Sequence, residues 1–289
     1  MATEIKTVGV CGFGTMGAGI AQVCAAAELD VVVLEASEER LALGRERLSA
    51  FLEEGVRRGK VSEEQRDAVL DRVRGTVDVA KLAACDLVIE AVVEQAEVKA
   101  ELLAQVAGVV RRDCLIATNT SALSVTELAG AVEAPERFAG LHFFNPVPLM
   151  ALVEVVEALQ SSEQTLAALE ELGRRIGKHP VRVKDRPGFL LNRVLMPYLN
   201  QVVQDYDDEI ASAEDIDAAL RLGLGYPMGA LEMLDMIGLD VHRHATEAAY
   251  EQTRTPSLSP PPLLGRMVAA GRLGRKSGRG FYNHEEDSK

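Results

Sequence analysis

Apolar residues occur along the chain in short runs separated by longer amphipathic stretches. Residues 5–11, IKTVGVC, read as a short buried strand. The segment GFGTMGAGIAQVCAAAE that follows has helical periodicity, and 31–35, VVVLE, is a second, β-branched strand. Strand, glycine turn, helix and strand in such close succession predict a βαβ unit, and with it a parallel sheet. Residues 38–74 are rich in charge and in long-chain helix formers. They predict two helices with a turn near Gly59, a helical hairpin projecting from the sheet. Strand-like runs return at 86–93, 114–118, 138–144, 152–157 and 180–184, and helical stretches at 96–110, 124–130 and 163–176. The pattern changes at Asp185-Arg186-Pro187-Gly188, where a Pro-Gly pair punctuates the chain. Beyond it only helices are predicted, over 189–211, 213–223, 229–252 and 261–271. The expected organisation is an α/β domain, 1–185, followed by an all-α domain, 186–289. The second domain is small for the apolar faces it carries, so burial against the first domain or a second copy is expected.

Composition narrows the class. The net charge is −13, which argues against a nucleic-acid binder, since phosphate contacts need a broad basic surface. No apolar run reaches the roughly 18 residues of a membrane span, and the N-terminus shows no basic flank followed by a long apolar core. The four cysteines, Cys11, Cys24, Cys85 and Cys114, form no C-x-x-C pair. They read as reduced, buried thiols of a cytoplasmic protein, and no metal site is expected.

Five segments carry candidate chemistry. Gly12-Phe13-Gly14-Thr15-Met16-Gly17 is a G-x-G-x-x-G placed where a strand ends and a helix begins, the context in which free N–H groups at a helix start receive a pyrophosphate. Glu35 ends the second strand, where a carboxylate can accept both hydroxyls of an adenine ribose and would repel a 2′-phosphate, so NAD is expected over NADP. His142 closes an apolar strand and Glu154 sits within another. A Pro-containing turn between them can bring the two side by side, as a base and the carboxylate that orients it. A satisfied core histidine is the alternative. Thr118-Asn119-Thr120-Ser121 follows a strand and serves either a ligand or an ordinary helix cap. Asn192 lies among apolar neighbours where the second domain begins, facing a cleft or capping a helix. Finally, Arg57, Arg58 and Lys60 on the hairpin, and Arg272, Arg275, Lys276 and Arg279 near the C-terminus, are local cations on an acidic background.

The motifs GVCGFGTMGAGIAQ, CDLVIEAVVE, ATNTSALS, HFFNPVPLMALVEVV, RPGFLLNR, YPMGALEMLDMIGLDV and GRLGRKSGRGFY occur together here, from Val8 to Tyr282. By these the chain resembles the 3-hydroxyacyl-CoA dehydrogenase family, on the side of the bacterial 3-hydroxybutyryl-CoA enzymes. The resemblance implies a Rossmann-type dinucleotide-binding domain with a helical hairpin insertion, and an all-α C-terminal domain that builds a homodimer. It implies His142 as general base, Glu154 as its orienting carboxylate, and Ser121 and Asn192 as contacts to the substrate's oxygens. The glycine loop and Glu35 would hold the adenine half of NAD, with Glu94, Lys99, Ser121, Asn145 and Lys276 along the cofactor. Lys60 and Arg58 would meet the nucleotide of a CoA thioester. The same scaffold also serves relatives acting on acyl groups tethered to acyl carrier protein or on free sugar acids, and it can serve non-catalytic NAD-binding proteins. Ala151 stands where relatives usually carry Lys, Ala230 departs from PMGPLEL, and residues 253–260 depart from the common loop. A lysine lost beside the cleft bears on which acyl group or carrier is accepted.

Overall fold

β1 (Thr7–Cys11), α1 (Thr15–Ala26) and β2 (Asp30–Leu34) form the βαβ unit, with β1 and β2 parallel and paired Val8 to Val31 and Val10 to Val33. This computed structural model describes residues 4–284. The chain divides into two compact units, Met1–Phe189 and Leu190–Lys289.

In the first unit, β2 leads into α2 (Glu38–Arg57), capped by the Ser37 side chain, and α3 (Glu63–Arg72), started by a capping box between Ser62 and Gln65. The hairpin does not simply project. α2 buries Leu41, Leu48 and Leu52, and α3 buries Val69, in one cluster with Phe13, Ile20 and Val31. Helix also stops earlier than the charge pattern suggests. Residues Val73–Thr76 form an edge strand, β3, parallel to β2, where the charge pattern predicts helix as far as residue 74. Four residues, of which Arg74 and Gly75 are exposed, leave no alternation long enough to read. The chain continues through β4 (Leu87–Glu90), α4 (Ala96–Val109), β5 (Leu115–Thr118), α5 (Val125–Ala129), β6 (Phe138–Phe143), β7 (Leu152–Glu157), α6 (Glu163–Arg175) and β8 (His179–Lys184). The eight strands form one sheet in the order β3-β2-β1-β4-β5-β6-β7-β8. The sheet is mixed rather than wholly parallel: β7 runs antiparallel to β6, which lets the short connection 144–151 join them without a crossover. Strand order reverses between β1 and β4, and in open α/β sheets ligands sit beyond the carboxyl ends of strands at such a point. Apolar clusters cover both faces of the sheet.

The second unit holds α7 (Leu191–Asp207), α8 (Ala213–Leu224), α9 (Ala230–Ile237), α10 (Leu239–Thr253) and α11 (Pro262–Ala269). The single helix expected over 229–252 is broken at Gly238, whose φ of 102° lies outside the range a helix uses. Buried carboxylates organise this unit. Asp217 accepts from the Leu231 and Glu232 amides at the start of α9 and from the Tyr282 hydroxyl. Asp235 accepts from the Phe281 and Tyr282 amides and contacts His284. Asn200 joins His242, Thr246 and the carbonyls of Ser257 and Ser259. Leu222, Ile210, Val194 and Leu224 remain 62–87% exposed.

Candidate active site

The glycine loop closes against the turn after β4. Gly12 has φ 95°, and a Cβ there would lie 2.7 Å from the Ala91 carbonyl oxygen; a Cβ on Gly17 would lie 1.9 Å from that of Gly12. Both positions therefore exclude any side chain. Gly14 caps α1 with no side-chain bond to the first-turn amides, and no acidic residue occupies that turn. The first-turn amides of a helix have no intrahelical acceptor and can meet an anion, while from Ala18, whose amide donates to the Gly14 carbonyl at 2.9 Å, the helix bonds its own amides. Phe13 serves through its backbone: its ring is buried against Gly44, and its amide donates to Glu35 Oε1 at 2.6 Å. The Ala36 amide donates to Glu35 Oε2 at 2.9 Å, so this carboxylate already pins the loop to the end of β2.

Beside the loop lies a cleft of about 500 Å³, lined by Gly12, Gly14 and Glu35, by Val77, and by Val93 and Val98 across from them. A largely apolar slot lined by the glycine loop and the Glu35 carboxylate fits a dinucleotide. Arg40, on the first turn of α2, lines the same cleft with an exposed side chain. Its place in the sequence gives no signal of this, because it stands five residues beyond Glu35 and comes alongside only through the turn into α2.

His142 and Glu154 are opposite one another in the β6–β7 ladder. Glu154 Oε2 is 2.8 Å from His142 Nδ1, and the residues are 1% and 5% exposed. A proton on Nδ1 donates to the carboxylate, which leaves Nε2 as the basic nitrogen. The Phe144 and Phe189 rings flank the imidazole at 4.4 and 5.5 Å between centroids. Asn119 Oδ1 accepts from the Phe143 amide at 2.8 Å, tying the end of β6 to the loop after β5.

That loop carries Ser121, which is exposed. Glu94 Oε1 accepts from the Thr120 hydroxyl at 2.6 Å, from the Ser121 and Ala122 amides at 2.8 and 3.1 Å, and from the Ser121 hydroxyl at 3.3 Å. Burial acts to raise the Glu94 carboxyl, but the Thr120 hydrogen bond, the Lys99 charge and the two amides outweigh it and hold it below the usual carboxylate range. Lys99 faces inward and is 1% exposed, its ammonium 2.6 Å from Glu90 and 3.3 Å from Glu94. Glu90 was not singled out from sequence; its one signal is a carboxylate ending an apolar strand.

The remaining candidates lie on other elements. Asn145 is exposed and opens the turn at a cis bond to Pro146. Asn192 is half-buried in the first turn of α7, in the second unit. Lys276, also in that unit, pairs with Asp240 at 2.5 Å, and Arg275 pairs with Glu232 at 3.1 Å. On the hairpin, Arg57 and Arg58 both pair with Glu54, while Lys60 has no ion pair among the described residues. Arg58 and Lys60 line a second cleft, of about 770 Å³, with Val23 of α1, Phe51 of α2, Leu149 and Lys178. Lys178 donates to the Val147 and Met150 carbonyls at 2.6 and 2.8 Å and so holds the turn between β6 and β7; burial lowers its pKa. All four cysteines are free and buried, and burial pushes the thiols up, Cys85 to about 11. Among the described residues no helix is long and apolar enough to cross a membrane.

Residues 7–186 match the family described as 3-hydroxyacyl-CoA dehydrogenase, NAD binding domain, and residues 188–284 match 3-hydroxyacyl-CoA dehydrogenase, C-terminal domain. A 3-hydroxybutyryl-CoA dehydrogenase of Mycobacterium tuberculosis is 44% identical over 286 residues, 98% of this chain and 100% of that protein. The mitochondrial hydroxyacyl-coenzyme A dehydrogenase of Sus scrofa is 41% identical over 97% of this chain and 92% of its own. The crystal structure of the (S)-3-hydroxybutyryl-CoA dehydrogenase of Ralstonia eutropha superposes with a TM-score of 0.93 at 42% identity, covering 97% of this chain and 99% of that one. Both parts of the sequence match one family and full-length relatives exceed 40% identity, and the chain belongs to the 3-hydroxyacyl-CoA dehydrogenase family.

Proposed function

We propose that the protein catalyses the reversible NAD-linked oxidation of a (3S)-3-hydroxyacyl-CoA to the 3-oxoacyl-CoA, with the short 3-hydroxybutyryl-CoA/acetoacetyl-CoA pair as its substrates. The observation that carries this reading is the buried His142–Glu154 pair at the end of β6, with its basic nitrogen directed away from the carboxylate. The relatives named for 3-hydroxybutyryl-CoA support the acyl length. NAD supplies the hydride acceptor when bound. His142 Nε2 takes the proton of the C3 hydroxyl as the C3–H hydride departs, and C=O forms at C3. Glu154 favours the imidazolium produced by that transfer and fixes the ring orientation. In the reverse direction the imidazolium returns its proton to the C3 oxygen. Ser121 and Asn192 position the substrate's oxygens. The glycine loop and Glu35 hold the adenine half of NAD, with Glu94, Asn145 and Lys276 along it. Lys60 is the cation best placed to receive the CoA nucleotide, because Glu54 already neutralises Arg57 and Arg58.

The exposed apolar residues of α7 and α8 support a homodimer built on the second unit, with a cytoplasmic setting consistent with four unpaired thiols. Light scattering at micromolar concentration that returns a monomer overturns the dimer. The decisive assay follows NADH consumption spectrophotometrically with acetoacetyl-CoA, and in parallel with an acetoacetyl group on acyl carrier protein. Turnover of the CoA thioester is expected. No turnover of it, or clear preference for the carrier-protein form, overturns the assignment.

A further inference from the structure

The chain leaves β8 at Lys184 and reaches the end of the first unit through two successive residues in the left-handed region, Gly188 at φ 76° and Phe189 at φ 46°. Glycine adopts this conformation freely, but an aromatic residue does not, because its Cβ crowds the adjoining backbone. Such a backbone persists only where its surroundings over-determine it, and these positions gather at functional sites. Of the five non-glycine residues with left-handed φ among the described residues, Phe189 alone is buried, at 5% exposure. It packs in the apolar cluster that holds Val156 and Val183. Val156 stands two residues beyond Glu154 on β7, so it shares a sheet face with Glu154 and with His142 opposite. The Phe189 ring meets the imidazole of His142 in an edge arrangement, 5.5 Å between centroids with the planes at 62°. Phe144, two residues beyond His142, comes within 4.4 Å at 58°. The two rings reach the base from separate stretches of chain.

One hydrogen bond fixes one atom of a ring. Glu154 anchors Nδ1 at 2.8 Å, but an imidazole held only there can swing about the contact and carry Nε2 away from the C3 hydroxyl. We infer that Phe189 is a positioning residue for His142: its ring, together with that of Phe144, closes a slot around the imidazole and holds Nε2 on the line of proton transfer. The two left-handed residues turn the chain back so that the ring reaches the face of the sheet that carries the base. Because the Phe189 side chain is itself buried, its effect on the reaction passes through His142 rather than through contact with substrate. A displacement of about 1 Å at reacting groups can lower a rate by about 10²-fold, so a wall of this kind matters to turnover without touching a ligand. This inference rests on the dehydrogenase reading above.

The test compares kcat and KM for acetoacetyl-CoA and NADH, and Tm by scanning calorimetry, in the full-length parent and in the Phe189→Leu and Phe138→Leu variants. Leu meets the same left-handed backbone penalty as Phe and fills apolar space, so the exchange at 189 removes the flat ring and little else. Phe138 is fully buried in the same cluster and has no ring contact with His142 among the described residues, which makes it the control. Phe189→Leu is expected to lower kcat at least about tenfold and to leave both KM values within about twofold of the parent's. Phe138→Leu should lower Tm comparably and keep kcat within about twofold, since it softens the core without freeing the base. A smaller loss of kcat in Phe189→Leu overturns the inference. So does an equal loss in Phe138→Leu, which would assign the effect to the core as a whole. A raised KM for acetoacetyl-CoA at unchanged kcat overturns it too, because the ring would then be meeting substrate.

If Phe189→Leu does not fold, Phe189→Met decides by the same criteria, since a flexible thioether fills the space without a plane. A cycle with Phe144→Leu, at the half-buried wall of the slot, tests the shared role. Either change alone already frees the imidazole, so the double variant should lose less kcat than the product of the two single losses. Full additivity overturns the slot. A parent that does not turn over acetoacetyl-CoA refutes the dehydrogenase reading and this inference with it, whereas an active parent with an unaffected Phe189→Leu variant refutes the inference alone.

Discussion

Glu154 is the antiparallel register partner of His142, and its Oε2 lies 2.8 Å from His142 Nδ1. Side chains directly opposite in a ladder share one face of the sheet, so the contact is set by strand pairing rather than by a flexible loop. Both groups are buried, which makes the carboxylate costly unless the imidazole accompanies it.

Replacing the base should be severe and specific. His142→Gln is expected to lower kcat by about 10²–10⁴, the range for a lost general acid–base group, with the NADH dissociation constant unchanged. Glu154→Gln should also lower kcat, because a neutral amide no longer favours the imidazolium formed in the reaction. Near-full activity of His142→Gln in steady-state assays refutes the mechanism.

Cofactor choice rests on Glu35. NAD should bind at least about tenfold tighter than NADP, roughly 1.4 kcal/mol, measured by titration calorimetry. Because the same carboxylate holds the Phe13 amide, Glu35→Ala should weaken NAD as well as narrow the ratio. Equal affinities in the parent protein contradict the ribose–carboxylate assignment.

The hairpin cations should differ in effect. Lys60→Ala is expected to raise KM for acetoacetyl-CoA severalfold and leave KM for NADH alone, the effect of an exposed charge contact worth about 1 kcal/mol or less. Arg58→Ala should do less, since Glu54 already engages that guanidinium. The Lys60 effect should shrink as salt rises and be absent for a pantetheine thioester lacking the nucleotide. An unchanged KM for the CoA substrate removes Lys60 from the site.

Acid should loosen the second unit through His242. Burial pushes its pKa down from 6.5 to about 4, so the unfolded chain binds the proton first. The stability tied to the neutral ring is complete above pH 6.5 and is lost as pH falls towards 4, a difference of about 3 kcal/mol by linkage. His242→Gln should flatten the dependence of Tm on pH across that window in scanning calorimetry. An unaltered slope means the imidazole is not the group responsible.

Much of this molecule was legible locally. The glycine spacing, the strands on either side of it and Glu35 predicted the βαβ unit, because strand and helix periods and a backbone approach that excludes Cβ are written over a few residues. The hairpin helices and the change of character near Pro187 were readable for the same reason, and the motifs carried His142, Glu154 and Ser121 as candidates. Longer-range pairing decided the rest. β3 showed itself only when a partner strand lay beside it, and one expected helix broke at Gly238. Periodicity along α4 cannot say whether Lys99 turns outward to a ligand or inward to a carboxylate at the end of β4. Nor does the run of hairpin cations disclose that Glu54 holds two of them. A side chain's charge is local information, but whether that charge is free to meet a ligand depends on neighbours that only the folded chain brings within hydrogen-bonding distance.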